Sequence, residues 1–472
     1  MESLNALVGK VGSFAWGPVM IIFLVGTGVV LTLGTRIVQF RKLFLAFKLL
    51  FSKNHSGTGD ITPFQALMTS LSATIGTGNI AGVATAIAAG GPGAIFWMWV
   101  TGAIGGATKF GEAVLAVKYR TTNEKGEQSG GPMYYIKYGM KEQYGGNWGW
   151  LGWLFAFFGF MASFGIGNMV QSNSVAAAIK SSFGIDPLIT GIVIAVATGL
   201  VIIGGIKSIA KVTSKIVPLM AVCYVLGSII VLFAKASMIP GVFAMIFNNA
   251  FTGAAVGGGL VGTVVRFGVA RGVFSNEAGL GSAPIAHAAS KITDPVIQGL
   301  IASLGSFLDT LVVCTMTALV ILVSGLITLN DAGLMVITGK LSGAALTSTA
   351  YSESFPGFGS FIVTFGLIFF AFSTILGWYY YGSKCFEYIA GVKAVAIYKW
   401  IYVLLAFVGA TVSLNFVWNL SDTFNGLMAI PNLIALLALC PVIFSLLKKY
   451  EAKGGVEAKS VVPIGIHGVQ AK

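Results

Sequence analysis

The sequence predicts an all-α protein that crosses a membrane many times, and three observations support this prediction. Hydrophobic residues occupy 56% of the 472 positions and charged residues only 10%, and the mean hydropathy is +0.87. A window of about 20 residues finds a series of apolar stretches, each long enough to cross a bilayer. Lysine and arginine are concentrated in alternate connections between these stretches. Together these features indicate a polytopic membrane protein.

Eleven transmembrane helices are expected. The predicted spans are 14–34, 62–89, 92–117, 150–180, 188–206, 215–234, 255–290, 295–325, 357–388, 400–420 and 426–447. Only one lysine and no basic cluster precedes the first span, so we expect a retained helix rather than a cleaved signal peptide. The longest connections, 118–149 and 326–356, are too short to fold as separate domains.

The distribution of basic residues predicts the orientation in the membrane. With the amino terminus outside and the carboxyl terminus inside, the inner segments carry 22 of the 29 lysines and arginines. The outer segments carry four, Lys10, Lys180, Lys235 and Lys340. Such a bias is typical of cytoplasmic loops. The net charge of +13 then reflects inner loops that face anionic lipid, and no nucleic-acid partner is expected.

Two of the apolar segments are interrupted by polar and glycine-rich residues. Segment 62–89 contains Ser72–Gly82, with the break expected near 75–79, and segment 255–290 contains Arg266–Gly281, with the break near 272–278. Irregular backbone survives at membrane depth only where protein or a hydrated cavity surrounds it. A kinked, well-packed helix is the alternative interpretation of 266–281.

The two interrupted segments run in opposite directions in the predicted topology, with five spans between their starts. Discontinuous helices at corresponding places in oppositely oriented halves are typical of secondary transporters with inverted repeats. The sequence therefore predicts four parts: an extra amino-terminal helix and basic loop (1–61), a first five-helix repeat (62–235), a second repeat (236–447) and a cytoplasmic tail (448–472).

Four stretches resemble the alanine or glycine:cation symporter family, within the amino acid-polyamine-organocation superfamily. They are Ser72–Asn79, Gly90–Trp99, Gly131–Ile136 and Ser275–Pro284, in the order expected for that family. The resemblance extends over nearly the whole chain. It implies uptake of small neutral amino acids such as alanine and glycine, driven by sodium, on the 5+5 inverted-repeat fold of the leucine-transporter type in a cell membrane. Alternating access is the expected mechanism.

A zwitterionic substrate needs donors for its carboxylate and acceptors for its ammonium group. We expect the backbone of Thr77, Gly78 and Asn79, where the first broken helix restarts, to bind the carboxylate. Acceptors for the ammonium group are expected from the Phe274 and Ser275 carbonyls and the Asn276 side chain.

Further residues are expected to complete the substrate site. Gln171, and less strongly Asn168, place amides within an apolar helix, and buried amides usually face the bundle interior. Trp378 and Phe274 are expected to form the wall of the pocket, with simple core packing as the alternative.

The resembled fold also implies where sodium binds. Carried over by position, the site consists of the Ser373 and Thr374 hydroxyls with the carbonyls of Phe370, Ser72 and Ile75. A second sodium site is expected at the Thr74 carbonyl and the Asn79 side chain. Neutral oxygens suit a hard cation. The alternative for each hydroxyl is a bond to the carbonyl one turn earlier in its own helix.

Four of the charged residues within predicted spans need particular attention: Glu277, Asp309, Arg266 and Arg271. Charges at membrane depth are costly and usually paired or functional. An internal pair, such as Glu277 with Arg271 or with Lys291, is one expectation. Titration of Glu277 or Asp309 during transport, with protons as the coupling ion, is the other.

An enzyme is not expected, and neither is a cofactor other than the coupling ion. The three histidines are far apart in the sequence, and the four cysteines lack the spacing of a metal site. An ion channel is a remote alternative, since the two broken segments are unlike each other. Oligomeric state is left open: the spacing of Gly102 with Gly106, and of Gly258 with Gly262, suits close helix contacts within or between chains.

Overall fold

The structure is a computed structural model in which residues 2–52, 57–252, 261–329, 335–412 and 415–454 are described. Several expectations fall partly outside these residues, among them the start of segment 255–290, part of span 400–420, the pairing of Gly258 with Gly262, and most of the tail at 448–472. The described chain is almost entirely helical, as the hydropathy pattern predicted.

The α-helices and the π-helical turns within or beside them follow one another with short connections. The α-helices are Glu2–Ala15, Pro18–Gly34, Val38–Arg41, Leu43–Leu50, Pro63–Thr74, Val83–Gly90, Ala94–Lys118, Pro132–Tyr134, Lys141–Tyr144, Gly149–Phe164, Val170–Phe183, Pro187–Ile202, Gly205–Ala234, Ile239–Thr252, Val261–Asn276, Ala283–Ala288, Pro295–Ser306, Thr315–Val323, Gly343–Ser354, Gly359–Ala390, Val395–Thr411 and Asn415–Ala452. The π-helical turns are Gly78–Gly82, Tyr135–Met140, Gly165–Met169 and Phe307–Cys314.

Two small antiparallel hairpins lie in the two longest connections, where the all-α prediction contained no strands. Thr121–Thr122 pairs with Gln128–Ser129, and Ile327–Leu329 pairs with Met335–Ile337. In the first hairpin the Asn123 side chain accepts hydrogen bonds from the amides of Lys125 and Glu127. An asparagine that bonds its own turn in this way specifies the reversal locally, so two-residue strands suffice there.

Seven helices of the described chain are long and apolar enough to cross a membrane, and a bent pair makes an eighth. The seven are Val8–Gly34, Gly149–Phe183, Gly205–Ala234, Pro295–Val323, Gly359–Ala390, Val392–Thr411 and Phe416–Ala452. Ala94–Lys118 carries Lys109 and Glu112, and Pro187–Ile202 has only 16 residues. The protein is therefore a multi-pass membrane protein, and the count of eleven spans stays a prediction.

The first broken helix consists of Pro63–Thr74 and Gly78–Gly90, bent by 52°. Its start is well specified: the Thr62 side chain accepts from the Gln65 amide, the Gln65 side chain accepts from the Thr62 amide, and Pro63 holds the first helical position. This reciprocal cap with proline at the first position favours helix initiation. The break lies at residues 75–77, within the predicted region.

The second broken helix consists of Val261–Asn276 and Ala283–Ala288. Its break comes later than the sequence predicted, because the helix continues regularly through 272–276 and ends at Asn276. Glu277 has φ +55°, and Gly279 and Gly281 have φ +87° and +82°. Glycine adopts this left-handed backbone without strain, which explains why the reversal is placed at the glycines rather than before them.

The two broken helices lie side by side and run in opposite directions. At one end, Ile61 and Ser290 form a β-bridge just before the first helix begins and just after the second ends. At the other end, a Cβ on Gly90 would lie 2.9 Å from the Phe267 Cβ. Both breaks are thereby brought to the middle of the bundle, as the prediction of oppositely oriented discontinuous helices requires.

Glycines on Ala94–Lys118 allow this helix to approach its neighbours within the same chain. A Cβ on Gly102 would lie 2.9 Å from Thr310, a Cβ on Gly105 would lie 3.0 Å from the Ala278 Cβ, and a Cβ on Gly106 would lie 3.0 Å from Gln39. The spacing of Gly102 and Gly106 is therefore explained by packing within the chain, one of the two alternatives that the sequence left open.

Arg120 stabilises one end of both broken helices, which is the inner end in the predicted orientation. Its guanidinium donates to the carbonyls of Ala288 (2.9 Å), Ser290 (2.6 Å), Thr58 (2.6 Å) and Ile292 (2.8 Å). Burial lowers the pKa of Arg120 to about 10, which leaves the guanidinium protonated at neutral pH. Arg120 thus joins the segments that flank both broken helices.

Candidate functional site

A buried carboxylate, that of Asp309, joins the two broken helices. Asn79 Nδ2 of the first broken helix donates to Asp309 Oδ1 at 2.7 Å. Ser275 Oγ of the second broken helix donates to Asp309 Oδ2 at 2.9 Å, and the neighbouring Thr310 hydroxyl donates to the same oxygen at 2.8 Å. Asp309 itself lies on the long helix Pro295–Val323. Residues predicted from two distant segments therefore meet at one anionic group.

The break in the first helix is held open by the Asn79 side chain. The side-chain oxygen Asn79 Oδ1 accepts a hydrogen bond from the Gly76 backbone N–H at 2.9 Å. The backbone N–H of Asn79 donates to the Gly76 carbonyl at 3.2 Å. The amides of Thr77 and Gly78 come at the start of the restarted helix, where N–H groups have no acceptor within the helix. Such amides can receive a carboxylate.

The end of Val261–Asn276, the first half of the second broken helix, provides carbonyl groups. The last regular bond there joins the Glu277 amide to the Val273 carbonyl at 2.8 Å, so the Phe274 and Ser275 carbonyls lie beyond it. The Asn276 side chain is used within the turn: its Oδ1 accepts from the Ala278 amide, and its Nδ2 donates to the Thr310 hydroxyl. Phe274 packs against the first break, since its Cδ1 would lie 3.4 Å from a Cβ on Gly78.

Gln171 reaches the same break from the helix Gly149–Phe183. Its Nε2 donates to the Thr77 hydroxyl at 3.3 Å and to the Ile166 carbonyl at 2.9 Å. Its Oε1 is buried without a hydrogen-bond partner among the described residues and would lie 3.6 Å from a Cβ on Gly76. Gln171 therefore places an unused acceptor at the break, whereas Asn168 donates away from it, to the Tyr402 carbonyl at 2.7 Å.

Trp378 lies beside the second break and is only 2% exposed. Its indole Nε1 donates to Glu277 Oε1 at 3.1 Å, and its side chain covers Gly167, where an added Cβ would lie 2.2 Å from the Trp378 Cβ and 2.4 Å from its ring atom Cγ. The contact with Glu277 was not predicted. It gives Trp378 a fixed orientation between the helix Gly359–Ala390 and the second break.

The five residues predicted to bind sodium come together between the first broken helix and Gly359–Ala390. The Ser373 hydroxyl lies 3.4 Å from the Ser72 carbonyl, and the Thr374 hydroxyl lies 3.4 Å from the Ile75 carbonyl. Both hydroxyls also lie 2.9 Å from the Phe370 carbonyl. The bonds to Phe370 are the within-helix bonds that the alternative interpretation anticipated, and they coexist with the contacts across the helices.

Glycines permit these close contacts. A Cβ on Gly76 would lie 2.6 Å from the Thr374 hydroxyl, and a Cβ on Gly377 would lie 2.7 Å from Ser72 Oγ. A side chain at either position would force the neighbouring atoms of the facing helix to shift. The oxygen cluster is therefore specified by the two glycines as well as by the oxygen ligands.

The predicted second sodium site consists of the Thr74 carbonyl and the Asn79 side chain, and the Asn79 side chain has other partners. The Thr74 hydroxyl donates within its own helix, to the carbonyls of Ser70 and Leu71. The Asn79 side chain bonds Gly76 and Asp309, as described above. Sequence reasoning did not include Asp309 in this site, although the carboxylate is the strongest oxygen ligand next to Asn79.

The expected pairing of Glu277 with Arg271 or Lys291 is wrong. Glu277 instead accepts from the Ser282 hydroxyl at 2.6 Å and from the Trp378 indole, because the left-handed turn at Glu277 directs its side chain toward Gly359–Ala390. Lys291 lies exposed beyond the end of the second broken helix. Arg271 faces a cavity on the other side of Phe274.

Two buried charged residues near the breaks, Lys109 and Glu112, were not predicted as part of the site from the sequence. Both lie on Ala94–Lys118, and they are 1% and 0% exposed. Glu112 Oε1 accepts from Asn432 Nδ2 at 2.7 Å and from the Gly281 amide at 3.1 Å. The charges of Glu277, Asp309 and Glu112 all act on Lys109. Two charged residues three positions apart inside a predicted span were the available signal.

Within the described residues, no group of three or more His, Cys, Asp and Glu side chains could hold a metal ion. The polar groups at the breaks are instead amides, hydroxyls, carbonyls and single carboxylates. This arrangement can bind a small zwitterion and a hard monovalent cation.

Comparison with known proteins identifies the family of the chain. The model of the sodium:alanine symporter family matches residues 1–462. A sodium/alanine symporter, AgcS, of Methanococcus maripaludis is 54% identical over 459 residues, which cover 96% of this chain and 99% of that protein. The amino-acid carrier protein AlsT of Bacillus subtilis is 37% identical over 97% of this chain and 95% of its own length.

The fold is also similar to that of a solved transporter. The manganese transporter of Eremococcus coleocola superimposes with a TM-score of 0.50 and 13% identity, over 84% of this chain and 82% of that one. At this identity the likeness concerns the fold alone. The family match and the extent of the sequence relatives carry the assignment: the chain belongs to the sodium:alanine symporter family, whose members transport amino acids by symport and are not enzymes.

Proposed function

We propose that the protein is a secondary active symporter that imports small neutral amino acids, alanine and glycine, with sodium as the coupling ion. The observation that carries the proposal is the oxygen cluster formed by Ser72, Ile75, Phe370, Ser373 and Thr374. Neutral oxygens from an unwound helix and a facing helix are the ligands that sodium takes in secondary transporters.

The amino acid binds at the two breaks in this proposal. Its carboxylate takes the amides of Thr77 and Gly78 and faces the sodium, while its ammonium group takes the Phe274 and Ser275 carbonyls. Gln171 adds the acceptor at Oε1 that has no other described partner. Phe274 and Trp378 limit the space for the substrate side chain, which favours alanine and glycine over larger residues. One methylene contributes only about 1–3 kcal/mol to such discrimination.

Transport proceeds by alternating access in this proposal. Ten of the eleven predicted spans form two inverted repeats, 62–235 and 236–447, and the first span is an extra helix, with the amino terminus outside a cell membrane. Sodium stabilises the joint between the first broken helix and Gly359–Ala390 and so completes the substrate site. Because binding linkage is reciprocal, sodium raises the affinity for alanine by the factor by which alanine raises the affinity for sodium.

Uptake of labelled alanine into proteoliposomes tests the proposal. We expect accumulation with an inward sodium gradient and none when potassium replaces sodium. Accumulation under a pH gradient alone would contradict sodium coupling, and no accumulation under any gradient would contradict the choice of substrate. A channel would instead pass thousands of ions per second with no fixed ratio to alanine.

Proton coupling is the second candidate, favoured by the burial of Glu277 and Asp309 next to the breaks. Glu277→Gln and Asp309→Asn separate the two candidates. If protons drive uptake, one of these variants loses accumulation under a pH gradient while equilibrium exchange of alanine persists. If sodium drives uptake, uptake by each variant should depend on the sodium concentration in the same way as uptake by the wild-type protein.

A further inference from the structure

The chain bends sharply where the first long apolar helix, Val8–Gly34, ends. Arg36 and Ile37 both have left-handed backbone there, with φ +55° and +57°. Among the described residues, Glu277 at the second break is the only other residue besides glycine with a positive φ. This conformation is costly for a β-branched residue such as Ile37, and it persists only where the surrounding structure holds it. The bend is therefore a specified feature of the fold.

Arg41 stabilises this bend from the segment that follows it. Its Nε donates to the Arg36 carbonyl at 3.2 Å, and its Nη2 donates to the Thr35 carbonyl at 3.3 Å. Its Nη1 pairs with Glu451 of the last helix at 2.7 Å. One guanidinium thus connects the bend to the carboxyl-terminal helix. All three of its nitrogens are engaged, so the other basic residues near the bend are the ones that can bind a ligand.

The segment after the bend has one buried face and one exposed face. The helix Leu43–Leu50 packs against Pro295–Ser306, and Ala46 and Leu50 are buried. Three phenylalanines make up the other face: Phe40 is 44% exposed, Phe44 is 88% exposed and Phe51 is 69% exposed. Their spacing of four and seven residues is that of one helix face. A continuous aromatic surface therefore faces outward from the bundle.

Basic residues are interspersed with these phenylalanines. They are Arg36, Lys42 and Lys48, of which Arg36 and Lys48 are exposed and Lys42 is half-buried. Within the described chain, no carboxylate pairs with any of the three. Lys448 and Lys449 are also exposed and come about one turn before Glu451, which the bond to Arg41 holds beside the bend. The aromatic surface therefore lies next to unpaired positive charge.

We propose that segment 36–51 is a binding site for one anionic phospholipid of the inner leaflet. The lipid phosphate lies against Arg36, Lys42 and Lys48, and the acyl chains cover the three phenylalanines. Aromatic residues beside lysine and arginine suit the boundary between headgroups and acyl chains, and clustered positive charge attracts anionic lipid. The predicted orientation places the segment on the inner side, directly after the first span. The lipid site goes beyond the proposed function, since lipid binding does not depend on which solute is transported.

The segment also contacts both helices that carry the candidate site. The ring centroids of Phe47 and Phe307 are 6.2 Å apart, and those of Phe51 and Phe64 are 6.1 Å apart. Phe307 comes two positions before the carboxylate that joins the breaks, and Phe64 lies in the first turn of the first broken helix. A lipid that holds segment 36–51 in place therefore also holds the helices of the site. We expect anionic lipid to raise the rate of alanine uptake for this reason.

Native mass spectrometry of the purified full-length protein, titrated with phosphatidylglycerol or with phosphatidylcholine, tests the lipid site. The wild-type protein should bind one phosphatidylglycerol more tightly than phosphatidylcholine. Each basic residue near the membrane surface contributes about fivefold to such binding. The triple variant Arg36→Gln, Lys42→Gln and Lys48→Gln should therefore bind phosphatidylglycerol about a hundredfold more weakly. Equal binding of the two lipids by the wild-type protein, or unchanged binding in the triple variant, would overturn the site.

A second triple variant is the matched control for charge: Lys207→Gln, Lys211→Gln and Lys215→Gln. It removes three exposed lysines from the same predicted side of the membrane, and it should bind phosphatidylglycerol as the wild-type protein does. The first triple variant should keep the unfolding temperature of the wild-type protein in detergent, because its three residues have no described ion pair to lose. The charge-conserving variant Arg36→Lys, Lys42→Arg and Lys48→Arg should keep the preference for phosphatidylglycerol. Loss of that preference in the control or in the charge-conserving variant would overturn the site.

Phe44→Ala tests the aromatic part of the site separately from its charge. Loss of the buried ring should weaken the binding of both lipids about tenfold or more and leave the preference for phosphatidylglycerol unchanged. Phe365→Ala is the control, because Phe365 is 50% exposed on another helix, and it should have no effect. Equal effects of the two variants would show that the acyl chains do not lie on Phe44.

Uptake of labelled alanine gives the transport readout. Vesicles of phosphatidylcholine are compared with vesicles that also contain phosphatidylglycerol, under the same sodium gradient. Phosphatidylglycerol should raise the rate for the wild-type protein and for the matched charge control, and it should not raise the rate for the triple variant at segment 36–51. An equal increase in that variant would overturn the link to transport. Tight phosphatidylglycerol binding without uptake in any vesicle would instead overturn the proposed function and leave the lipid site intact.

Discussion

Asn79 Nδ2 donates a hydrogen bond of 2.7 Å to Asp309 Oδ1, and this contact connects the first broken helix to the helix that follows the second. Ser275 completes the connection by donating to the other oxygen of the same carboxylate. The two breaks are therefore not independent. A change at one of them is transmitted to the other through a single side chain that can only accept when ionised.

Asp309→Asn tests this connection. An asparagine keeps one acceptor oxygen, which must stay toward Asn79 Nδ2, and turns its NH₂ toward the Ser275 and Thr310 hydroxyls, which can rotate to accept. Loss of the ionised acceptor should cost about 1.5–3 kcal/mol, so we expect the alanine dissociation constant to rise tenfold or more. Asp309→Ala removes both carboxylate oxygens and leaves Asn79 and Ser275 with only the Cys314 sulfur and the backbone carbonyl at position 309 as weak acceptors, so it should be worse. Unchanged affinity in both variants by titration calorimetry would show that the carboxylate does not couple the breaks.

Thr374→Val tests the oxygen cluster. Valine keeps the shape of the side chain but removes the hydroxyl that lies 3.4 Å from the Ile75 carbonyl. We expect the sodium concentration for half-maximal uptake to rise about tenfold or more, as for loss of one hydrogen-bonding ligand to a charge. Thr364→Val is the control on the same helix, because the Thr364 hydroxyl bonds Ser182 instead. Equal sodium dependence in the two variants would remove Thr374 from the sodium site.

Gly76→Ala and Gly82→Ala form a second matched pair on the first broken helix. A Cβ at Gly76 would lie 2.6 Å from the Thr374 hydroxyl, whereas a Cβ at Gly82 would have no heavy atom within 4 Å. Overpacking of this kind costs about 1–3 kcal/mol. We expect Gly76→Ala to lose sodium-stimulated alanine binding and Gly82→Ala to retain it. Loss of binding in both variants would point to backbone flexibility rather than to the contact with Thr374.

Arg120→Ala should loosen the inner ends of the broken helices. Four carbonyls lose their donor, and each buried acceptor left unsatisfied costs about 1–3 kcal/mol. We therefore expect a clear fall in the unfolding temperature in detergent. Arg120→Lys should recover only part of this loss, because an ammonium group lacks the planar, forked set of donors of a guanidinium. Lys118→Ala removes a partly exposed pair with Glu142, and its effect should be about 0–1 kcal/mol. A similar effect of both alanine variants would contradict the role of Arg120.

Lys109→Met should destabilise the protein, since the buried Lys109 side chain lies in the electrostatic field of Glu277, Asp309 and Glu112. Removing one member of a buried charge group costs about 3–5 kcal/mol. Adding Glu112→Gln should recover part of the loss, because one uncompensated carboxylate is then neutral. The four unfolding temperatures of this double-mutant cycle measure the coupling. Strict additivity would show that Lys109 and Glu112 act separately.

The sequence by itself determined the class of the protein, the positions of the breaks and the residue types around them. Hydropathy and the bias of lysine and arginine depend only on local composition, so they can be interpreted without knowledge of how the helices pack. Ser373 and Thr374 could be matched with Ser72 and Ile75 because a resembled fold supplied the contact between helices. The second break was predicted a few residues early, since its glycines are spread over a longer stretch than the turn itself.

Only the tertiary structure decided which buried charges meet. Asn79, Ser275 and Asp309 are far apart in the chain, and the choice of Trp378 and Ser282 as partners of Glu277 depends on a left-handed turn that hydropathy does not encode. Lys109 and Glu112 were visible in the sequence as charges within a span but not as neighbours of the breaks, and the cavity that Arg271 faces could not be predicted either. The physical reason is that hydropathy and periodicity describe one helix at a time, whereas the neighbours of a buried charge are set by the packing of several helices.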